Sequence, residues 1–462
     1  MLRTAEKALM RFLVAAGRRG KKGSSLRGRK VWIPRMPYGS SKLFAAAFRS
    51  VGLEAECTPP SDARTAELGA KYTCGDECYP TKVTLGNFLS VLERPDADPD
   101  RTAFFMPTAE GPCRFGQYAP YMRSVFDEIG FNNVPIISPS SETGYTELGD
   151  MATEFVMTGW RMLVSGDILM KLLHKTRPYE SAAGAADQAF EESLDDLSKV
   201  IESRYRTPEG QLEALAAGVV RARDRFRSVP ARYNRSLPLI GVVGEIFCRL
   251  NTYANDEIVR RLEEYGAECW MSDIGEWVWY TNSEQLRLLK LRRQTVSLTT
   301  GAALLRQSIQ RHDEHALVEP VREDFRGYEE PHHISEVLEC ANPYLPDWGA
   351  MGEMVLNVGK SIYLARKGVD GIVDVSPFTC MNGIVCEAIY PRVSRDNADI
   401  PIRNFYFDGT QSDLDRDIGI YLELARTYSA RKPHARVFPS DVTLTSPSST
   451  ICAVAVGCVC SG

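Results

Sequence analysis

The chain has 462 residues, of which 44% are hydrophobic and 25% are charged, and such values are typical of globular proteins. Its 60 acidic and 55 basic residues give a formal net charge of −5, a balance that does not favour nucleic-acid binding. No run of about 18 uninterrupted apolar residues occurs, so we expect no membrane span. A length of this kind predicts two or three domains.

The beginning of the chain does not fit a secretory signal, because Arg11 splits its apolar part and a basic run from Arg18 to Lys22 follows it. We expect a short amphipathic helix and a basic linker over 1–29. Twelve cysteines in a protein without such a signal point to the cytoplasm, where disulfides rarely persist. Burial, catalysis or metal binding must then explain the cysteines.

The segment 30–145 alternates strand-like and helix-like stretches, bounded by turn residues. The predicted strands are Lys30–Pro34, Leu53–Cys57, Thr102–Pro107 and Val134–Ser138, and the predicted helices are Ser41–Val51 and Tyr118–Ile129. The segment 146–232 lacks strand signals and is rich in Ala, Leu, Glu and Arg, which predicts helices. It would join two α/β domains.

The segment 233–435 returns to alternation. Its predicted strands are Leu237–Glu245, Ala267–Met271, Gly371–Ser376 and Ile402–Phe407, and its predicted helices are Ala254–Tyr265, Met351–Lys367 and Leu414–Tyr428. The spacing favours an α/β fold with two Rossmann-like, doubly wound parallel-sheet domains joined by the helical segment. The residues 436–462 are small, polar and without periodicity, so we expect a disordered tail and give little weight to Cys452, Cys458 and Cys460 as ligands.

Three loops present cysteine beside glycine or proline. Cys74 and Cys78 lie in TCGDECYP, Cys113 lies in EGPCRFGQY, and Cys380 lies in SPFTCMNG. Cys113 and Cys380 each follow a predicted strand, and sites in such folds lie at the carboxyl ends of strands. Several thiolates that converge from loops with exposed backbone N–H groups suit an iron–sulfur cluster. Structural zinc, a redox pair of Cys74 and Cys78, or simple burial of each cysteine are the alternatives.

The remaining cysteines within the folded segments are weaker candidates. Cys248, Cys57, Cys269, Cys340 and Cys386 lie in strand or helix contexts and are expected in the core.

Other candidates are polar groups beside these motifs. Arg114 could lower the pKa of the adjacent thiol or bind an anionic substrate group. Ser376 is a second candidate for substrate contact, and Glu245 is a candidate for proton transfer or for capping the helix that follows it. The run around Lys360 lacks the first glycine of a phosphate-binding loop, so the sequence gives no sign of its own nucleotide hydrolysis site.

The motifs TCGDECYPTK, EGPCRFGQY, GEIFCRLNTYAND, SPFTCMNG and IPIRNFYFDGTQSDLDRDI resemble the 2-hydroxyacyl-CoA dehydratase superfamily. The resemblance is closest to the region that follows the ATPase domains in large CoA-dehydratase activase-like proteins. It runs in order from about Lys30 to Lys432, and GPCRFGQY and the later Phe-x-Cys-Met are its most specific parts.

The resemblance implies paired Rossmann-like domains around a [4Fe–4S] cluster, with a double-cubane cluster or zinc as alternatives. Carried over by motif, Cys74, Cys78, Cys113 and Cys380 are the ligand candidates. Three protein thiolates would leave one iron open for substrate, whereas four would favour electron transfer only. The chain lacks an ATPase half, so the resemblance implies a separate ATP-hydrolysing activase as partner, in a homodimer or a heterodimer.

The function expected from this resemblance is transfer of low-potential electrons, with an acyl-CoA as a candidate acceptor. The protein would then be a 2-hydroxyacyl-CoA dehydratase-like lyase or an ATP-dependent reductase component. Two alternatives stay open: a metal-stabilised accessory subunit without catalysis, and a thiol redox enzyme that uses Cys74 and Cys78.

Overall fold

The computed structural model describes residues 26–108, 113–138, 148, 151–346, 350–410 and 413–439. Most of the predicted basic segment 1–29 and of the predicted tail 436–462 lies outside the described residues, as do the three tail cysteines. Within the described part, none of the helices combines the length and the apolar character needed to cross a membrane.

The first half of the chain forms a four-stranded parallel sheet. Its strands are β1 (Lys30–Ile33), β2 (Glu54–Cys57), β3 (Thr102–Phe105) and β4 (Ile136–Ile137), and its helices are α1 (Tyr38–Ser50), α2 (Ala63–Ala70), α3 (Tyr79–Leu92) and α4 (Tyr118–Glu128). The spatial order is β2-β1-β3-β4. Every residue of β3 is buried, as expected for a strand with helices on both faces of its sheet.

Three long helices follow the first sheet, where the sequence predicts a helical segment. They are α5 (Ala152–Thr176), α6 (Ala185–Glu202) and α7 (Pro208–Ser228). Helix α5 packs against α1 of the first half and against β6 (Glu268–Met271) of the second. The largest hydrophobic cluster accordingly includes Val31 of the first sheet, Leu169 of α5 and Val243 of the second sheet. The two halves therefore share one core across α5.

The second half repeats the topology of the first. With β6, its strands are β5 (Leu239–Gly244), β7 (Gly371–Pro377) and β8 (Ile402–Phe407), and they form a parallel sheet in the order β6-β5-β7-β8. Its helices are α8 (Ile246–Leu250), α9 (Ile258–Glu264), α10 (Ile274–Leu291), α11 (Leu298–Val318), α12 (Ile334–Ala341), α13 (Glu353–Arg366), α14 (Met381–Asp396) and α15 (Leu414–Ser429). The predicted α/β class with two Rossmann-like parallel sheets is confirmed, whereas the domain bounds 30–145, 146–232 and 233–435 stay a prediction.

Helices α10 to α12 interrupt the second α/β unit between β6 and β7, and the sequence analysis does not identify them. Trp279 of α10 packs edge-to-face on Trp160 of α5, with ring centroids 5.4 Å apart, and its Nε1 donates to Glu314 Oε1 of α11. The helices are thus held by contacts with the first helical segment. These aromatic residues belong to a packed interface between helices.

A close approach of two helices fixes the position of α3. A Cβ atom added to Gly69 of α2 would lie 1.9 Å from Lys82 O, and one added to Gly86 of α3 would lie 1.8 Å from Thr65 O. Only glycine permits backbone contact of this kind. The N-terminus of α3, which begins after Cys78, is therefore placed by two glycines that carry no chemistry themselves.

A buried ion pair joins α5 to α11. Arg161 Nε lies 2.6 Å from Asp313 Oδ2, and both side chains are almost fully buried. We expect Asp313→Ala to lower the free energy of unfolding by about 3–5 kcal/mol, because it leaves a guanidinium buried without its counter-charge. The double variant Arg161→Met with Asp313→Leu should recover most of the loss. Urea unfolding measures both, and Glu202→Ala, which breaks an exposed pair with Arg49, should cost less than about 1 kcal/mol.

His174, also on α5, makes the stability of the fold depend on pH. Burial, with the positive charge of Arg177, lowers the pKa of His174 from 6.5 to about 3. Below pH 6.5 the unfolded chain binds a proton that the native state does not bind until about pH 3, so stability is lost as the pH falls through this range. We expect His174→Gln to reduce the loss between pH 7 and pH 5 by about 2 kcal/mol, measured by urea unfolding. The exposed His312→Gln is the control, and an unchanged slope in His174→Gln would contradict the assignment.

Candidate metal centre

Three of the four predicted ligand cysteines stand at helix N-termini with nearly the same backbone conformation. Cys78 precedes α3 with φ −61° and ψ 134°, and Cys380 precedes α14 with φ −64° and ψ 121°. Cys113 precedes a short 3₁₀-helix that leads into α4, with φ −67° and ψ 131°. None of these side chains caps its helix through a hydrogen bond. Each sulfur therefore lies at the positive end of a helix, where a thiolate is favoured.

Arg114 joins the loops that carry these cysteines. Its Nη1 donates to Asp76 O at 2.7 Å, in the loop before Cys78, and its Nη2 donates to Thr379 O at 2.9 Å, in the loop before Cys380. Thr379 has φ +64°, a left-handed conformation that is unfavourable for a β-branched residue. The guanidinium thus ties two loops of the first half to a strained loop of the second. Substrate binding by Arg114 stays a prediction.

Two buried carboxylates lie opposite the thiols in the second half. Glu245 precedes α8, and its Oε1 and Oε2 accept the backbone N–H groups of Phe247 and Cys248 at 3.1 and 2.7 Å. Glu353 Oε1 accepts Ile246 N–H at 2.9 Å. The N-terminus of α8 is therefore capped by both side chains, as the sequence analysis considered for Glu245.

The thiols and carboxyls influence one another's ionisation. Burial raises the pKa of Cys78 to about 12 and that of Cys113 to about 11, and it also raises the pKa of Cys380; the charge of Glu245 adds to all three rises. Burial, followed by the charge of Glu245, raises the pKa of Glu353. These groups cannot all ionise without a compensating cation. Without a metal the raised pKa values keep the thiols protonated. A bound metal would favour the thiolate forms, since thiols must lose their protons to act as ligands.

A cluster and a single metal ion place different demands on their protein ligands. Among the described residues, no three His, Cys, Asp or Glu side chains lie together in a way that could hold one metal ion. In an iron–sulfur cubane each cysteine binds a different iron atom, so its ligands can approach from separate loops. Whether Cys78, Cys113 and Cys380 hold such a cluster stays a prediction.

Several buried polar atoms on α8, α13 and α14 have no hydrogen-bond partner within the described part of the chain. They are Nε of Arg249, Oε2 of Glu353, Nδ2 of Asn357 and Oδ1 of Asn382. Such atoms are uncommon in folded proteins, because each costs about 1–3 kcal/mol. A bound polar group at this place would supply the missing partners, so the residues fit a ligand as well as a cluster.

Cys74 has different surroundings from the other three cysteines. The residue is exposed, its Sγ donates to Glu77 Oε1 at 3.3 Å, and its backbone N–H donates to Glu77 Oε2 at 3.0 Å. Glu77 also accepts Gly75 N–H, which closes the loop before α3. Whether Cys74 is a fourth ligand therefore stays a prediction.

Ser376 lies inside the second sheet. It is fully buried on β7, and its Oγ donates to Asp374 Oδ1 at 2.8 Å. The other carboxylate oxygen of Asp374 accepts the hydroxyl of Tyr390 at 2.5 Å. Substrate contact by Ser376 stays a prediction, but its hydroxyl already has a partner in the core.

Several remaining cysteines are packed in hydrophobic clusters. Cys269 belongs to the core beneath the second sheet, and Cys340 and Cys386 belong to the cluster between α12, α13 and α14. Cys248 is fully buried on α8, beside Glu245. Its pKa is raised by burial and then by the charges of Glu245, Cys78 and Cys380, so Cys248 lies near these groups. Unlike the three ligand candidates, it is part of a helix and does not precede one.

Glu353 and Asn357 are the members of the site that the sequence analysis missed. Both lie on α13, one turn apart, and Asn357 Oδ1 accepts Gly244 N–H at 3.2 Å. The sequence signal for Glu353 was an acidic residue at the start of a helix. Such a residue normally indicates only a favourable interaction with the helix dipole. Both residues are distant from Glu245 in the sequence, since the hydrogen bond between Glu353 and Ile246 joins residues that are 107 positions apart.

Comparison of the sequence with protein-family models and with curated proteins gave no match.

Arg114 offers a test of the loop arrangement that needs no metal. Arg114→Gln removes the bonds to Asp76 O and Thr379 O, and we expect amide exchange in segments 73–78 and 378–383 to rise about 5- to 10-fold, the effect of about 1–1.4 kcal/mol. Hydrogen-exchange mass spectrometry measures both segments. The control Arg94→Gln breaks an exposed contact with Asp96 and a cation–π contact with Trp32, neither of which lies in these segments. Unchanged exchange in both segments would show that Arg114 does not hold the loops.

Proposed function

We propose that the chain is an iron–sulfur redox protein of the 2-hydroxyacyl-CoA dehydratase type, with Cys78, Cys113 and Cys380 as ligands of a [4Fe–4S] cluster. The proposal rests on three cysteines that precede helices, on loops that Arg114 joins, and on the charge of Glu245, which raises the pKa of all three thiols. The sequence motifs around the same cysteines supply the family and the substrate class, a 2-hydroxyacyl thioester of coenzyme A.

The cluster, when bound, would supply one-electron transfer at low potential. With three protein thiolates, one iron would stay open to the substrate. Each of these cysteines precedes a helix whose first backbone N–H groups have no partner within that helix, and hydrogen bonds from such groups to sulfur would tune the potential of a cluster. The role of Cys74 distinguishes two forms of the proposal, a cluster with three protein ligands and one with four. If Cys74 is a fourth ligand, no iron is open to the substrate, and electron transfer is the only role of the cluster.

Arg249 is suited to orient an acyl group. It is buried on α8, its Nε has no hydrogen-bond partner, and its charge acts on the carboxyls of Glu245 and Glu353. The carbonyl oxygen of a thioester would accept the hydrogen bond that Nε of Arg249 does not make within the described residues. Asn382, two residues after Cys380, has a free acceptor oxygen that could take the substrate hydroxyl. We assign orientation of the substrate to these two side chains.

Glu353 is better placed than Glu245 to move a proton. Burial raises the pKa of Glu245 as well, but both of its oxygens accept backbone N–H groups, which oppose that rise and favour its ionised form. Glu353 has one oxygen without a partner, and burial raises its pKa. A carboxyl that keeps its proton near neutral pH can act as a general acid. We therefore assign to Glu353 Oε2 the proton that a departing hydroxyl group requires, with Glu245 as its charged neighbour.

The proposal includes an activase that hydrolyses ATP and delivers the electron, in the cytoplasm. The nine described cysteines are all free thiols, as the reducing cytoplasm favours.

The test is the iron and acid-labile sulfide content of the chain after anaerobic purification. We expect about four of each per chain, with broad absorption near 400 nm. Cys78→Ser, Cys113→Ser and Cys380→Ser should each lose most of the iron, because each removes a ligand. Cys269→Ser, a buried cysteine in the core beneath the second sheet, is the matched control and should retain it.

The remaining outcomes separate the alternatives. Iron retained in Cys74→Ser would favour three ligands and an open iron, whereas iron lost would favour four. Zinc without sulfide would support the accessory-subunit hypothesis, and loss of activity on alkylation but not on chelation would support a thiol redox pair. A folded anaerobic sample that holds no metal and fails reconstitution would overturn the proposal.

A further inference from the structure

The antiparallel pair of helices α10 and α11 extends beyond the packed part of the protein. The pair is held near its base, where Trp279 of α10 packs on Trp160 of α5. An α-helix rises 1.5 Å per residue, so α10 continues for about 18 Å past Trp279. After Leu289 no residue is buried until Ala303 of α11. We call the exposed residues 290–302 the hairpin tip.

The hairpin tip exposes three aliphatic side chains. The exposed fraction is 67% for Leu291, 99% for Val296 and 88% for Leu298. Leu304, further along α11, is also exposed. A single exposed leucine is ordinary, but several neighbouring aliphatic residues at one end of a hairpin indicate a surface of interaction.

The same part of the chain is strongly basic. The segment 285–311 contains six basic residues and no acidic residue, whereas the whole chain has a formal net charge of −5. Lys290, Arg292 and Arg293 are exposed at the hairpin tip, and they make no ion pair within the described residues. Their positive charge is therefore uncompensated, and it favours contact with an anionic surface.

The chain itself offers no complement to this charge. A second copy that docked through the same surface would bring like charges together, which is unfavourable. The segment 1–25 is itself basic, and Asp441 is the one acidic residue of 440–462. The occupant must therefore come from outside the chain and must be anionic.

The types of residue at the hairpin tip distinguish between anionic occupants. Sites for single-stranded nucleic acid stack bases on aromatic side chains, and the segment 285–311 contains no aromatic residue. The side chains that contribute most to protein–protein binding are Trp, Tyr and Arg, whereas Leu and Val are under-represented. Aliphatic residues flanked by Lys and Arg are typical of segments that lie at the interface of an anionic bilayer. A bilayer also receives a convex surface without a matching pocket.

We propose that the hairpin tip docks on the surface of an anionic lipid bilayer. Leu291, Val296 and Leu298 enter the boundary between headgroups and acyl chains, and the three exposed basic residues contact the lipid phosphates. The cytoplasmic leaflet of a membrane carries such negative charge. This contact goes beyond the proposed function, because it requires neither a cluster nor a thioester and lies on helices inserted between β6 and β7.

The experiment is co-sedimentation of the full chain with vesicles of phosphatidylcholine alone and with vesicles of equimolar phosphatidylcholine and phosphatidylglycerol. We expect binding to the anionic vesicles only, and weaker binding at high salt. The double variant Arg292→Gln with Arg293→Gln should weaken binding about tenfold, because two attracting charges are lost. Val296→Ser with Leu298→Ser should also weaken it about tenfold, because less apolar surface leaves water.

The matched control is Ile420→Ser with Leu424→Ser, which removes two exposed aliphatic side chains from α15, outside the hairpin. It should bind like the unaltered chain, and circular dichroism confirms that each variant is folded. Absence of binding to the anionic vesicles, equal binding to both kinds of vesicle, or unchanged binding in both hairpin variants overturns the proposal. Binding to poly-glutamate without binding to vesicles also overturns it, and identifies an acidic protein as the partner.

Discussion

A buried network of charges around α5 holds the two halves in the arrangement on which the cysteine centre depends. Lys360 of α13 is fully buried and lies 2.7 Å from Glu276 of α10, and it also contacts Glu330. Glu330 in turn lies 2.7 Å from Lys171 of α5. Taking these charges out of water is costly, and only mutual contact offsets that cost. The charges are all paired only when α5, α10 and α13 pack in this one arrangement. The network therefore fixes the geometry of these helices more than it stabilises the fold.

The position of α13 connects this network to the cysteine centre. Lys360 lies seven positions after Glu353 and three after Asn357 on the same helix, so anchoring Lys360 also orients the two residues that reach the end of β5. The thiols come from other elements, and Arg114 holds their loops together. The centre is thus assembled from two independent supports, one from each half. A change at either support would alter the distances between thiols and carboxylates without removing any of them.

The sequence predicts those parts of the structure that depend on local pattern. The parallel strands and the helices after β1 and β8 follow from alternation and from turn residues, and Cys113 and Cys380 follow strands in both the prediction and the structure. Helices α10 to α12 were missed because Trp160 and Trp279 form their contact across more than a hundred residues. Likewise, nothing near Glu353 indicates that it caps α8.

Helix α8 links the cysteine centre physically to the first half of the protein. Glu245 at its beginning acts on the thiols. The residue that follows its end, Asn251, donates through Nδ2 to Arg35 O at 2.7 Å, in the turn between β1 and α1. Because α8 has only five residues, the carboxylate that acts on the thiols and the amide that holds this turn lie close together in the chain. The position of Glu245 therefore depends on how the turn before α1 packs against α8, and not on the second half alone.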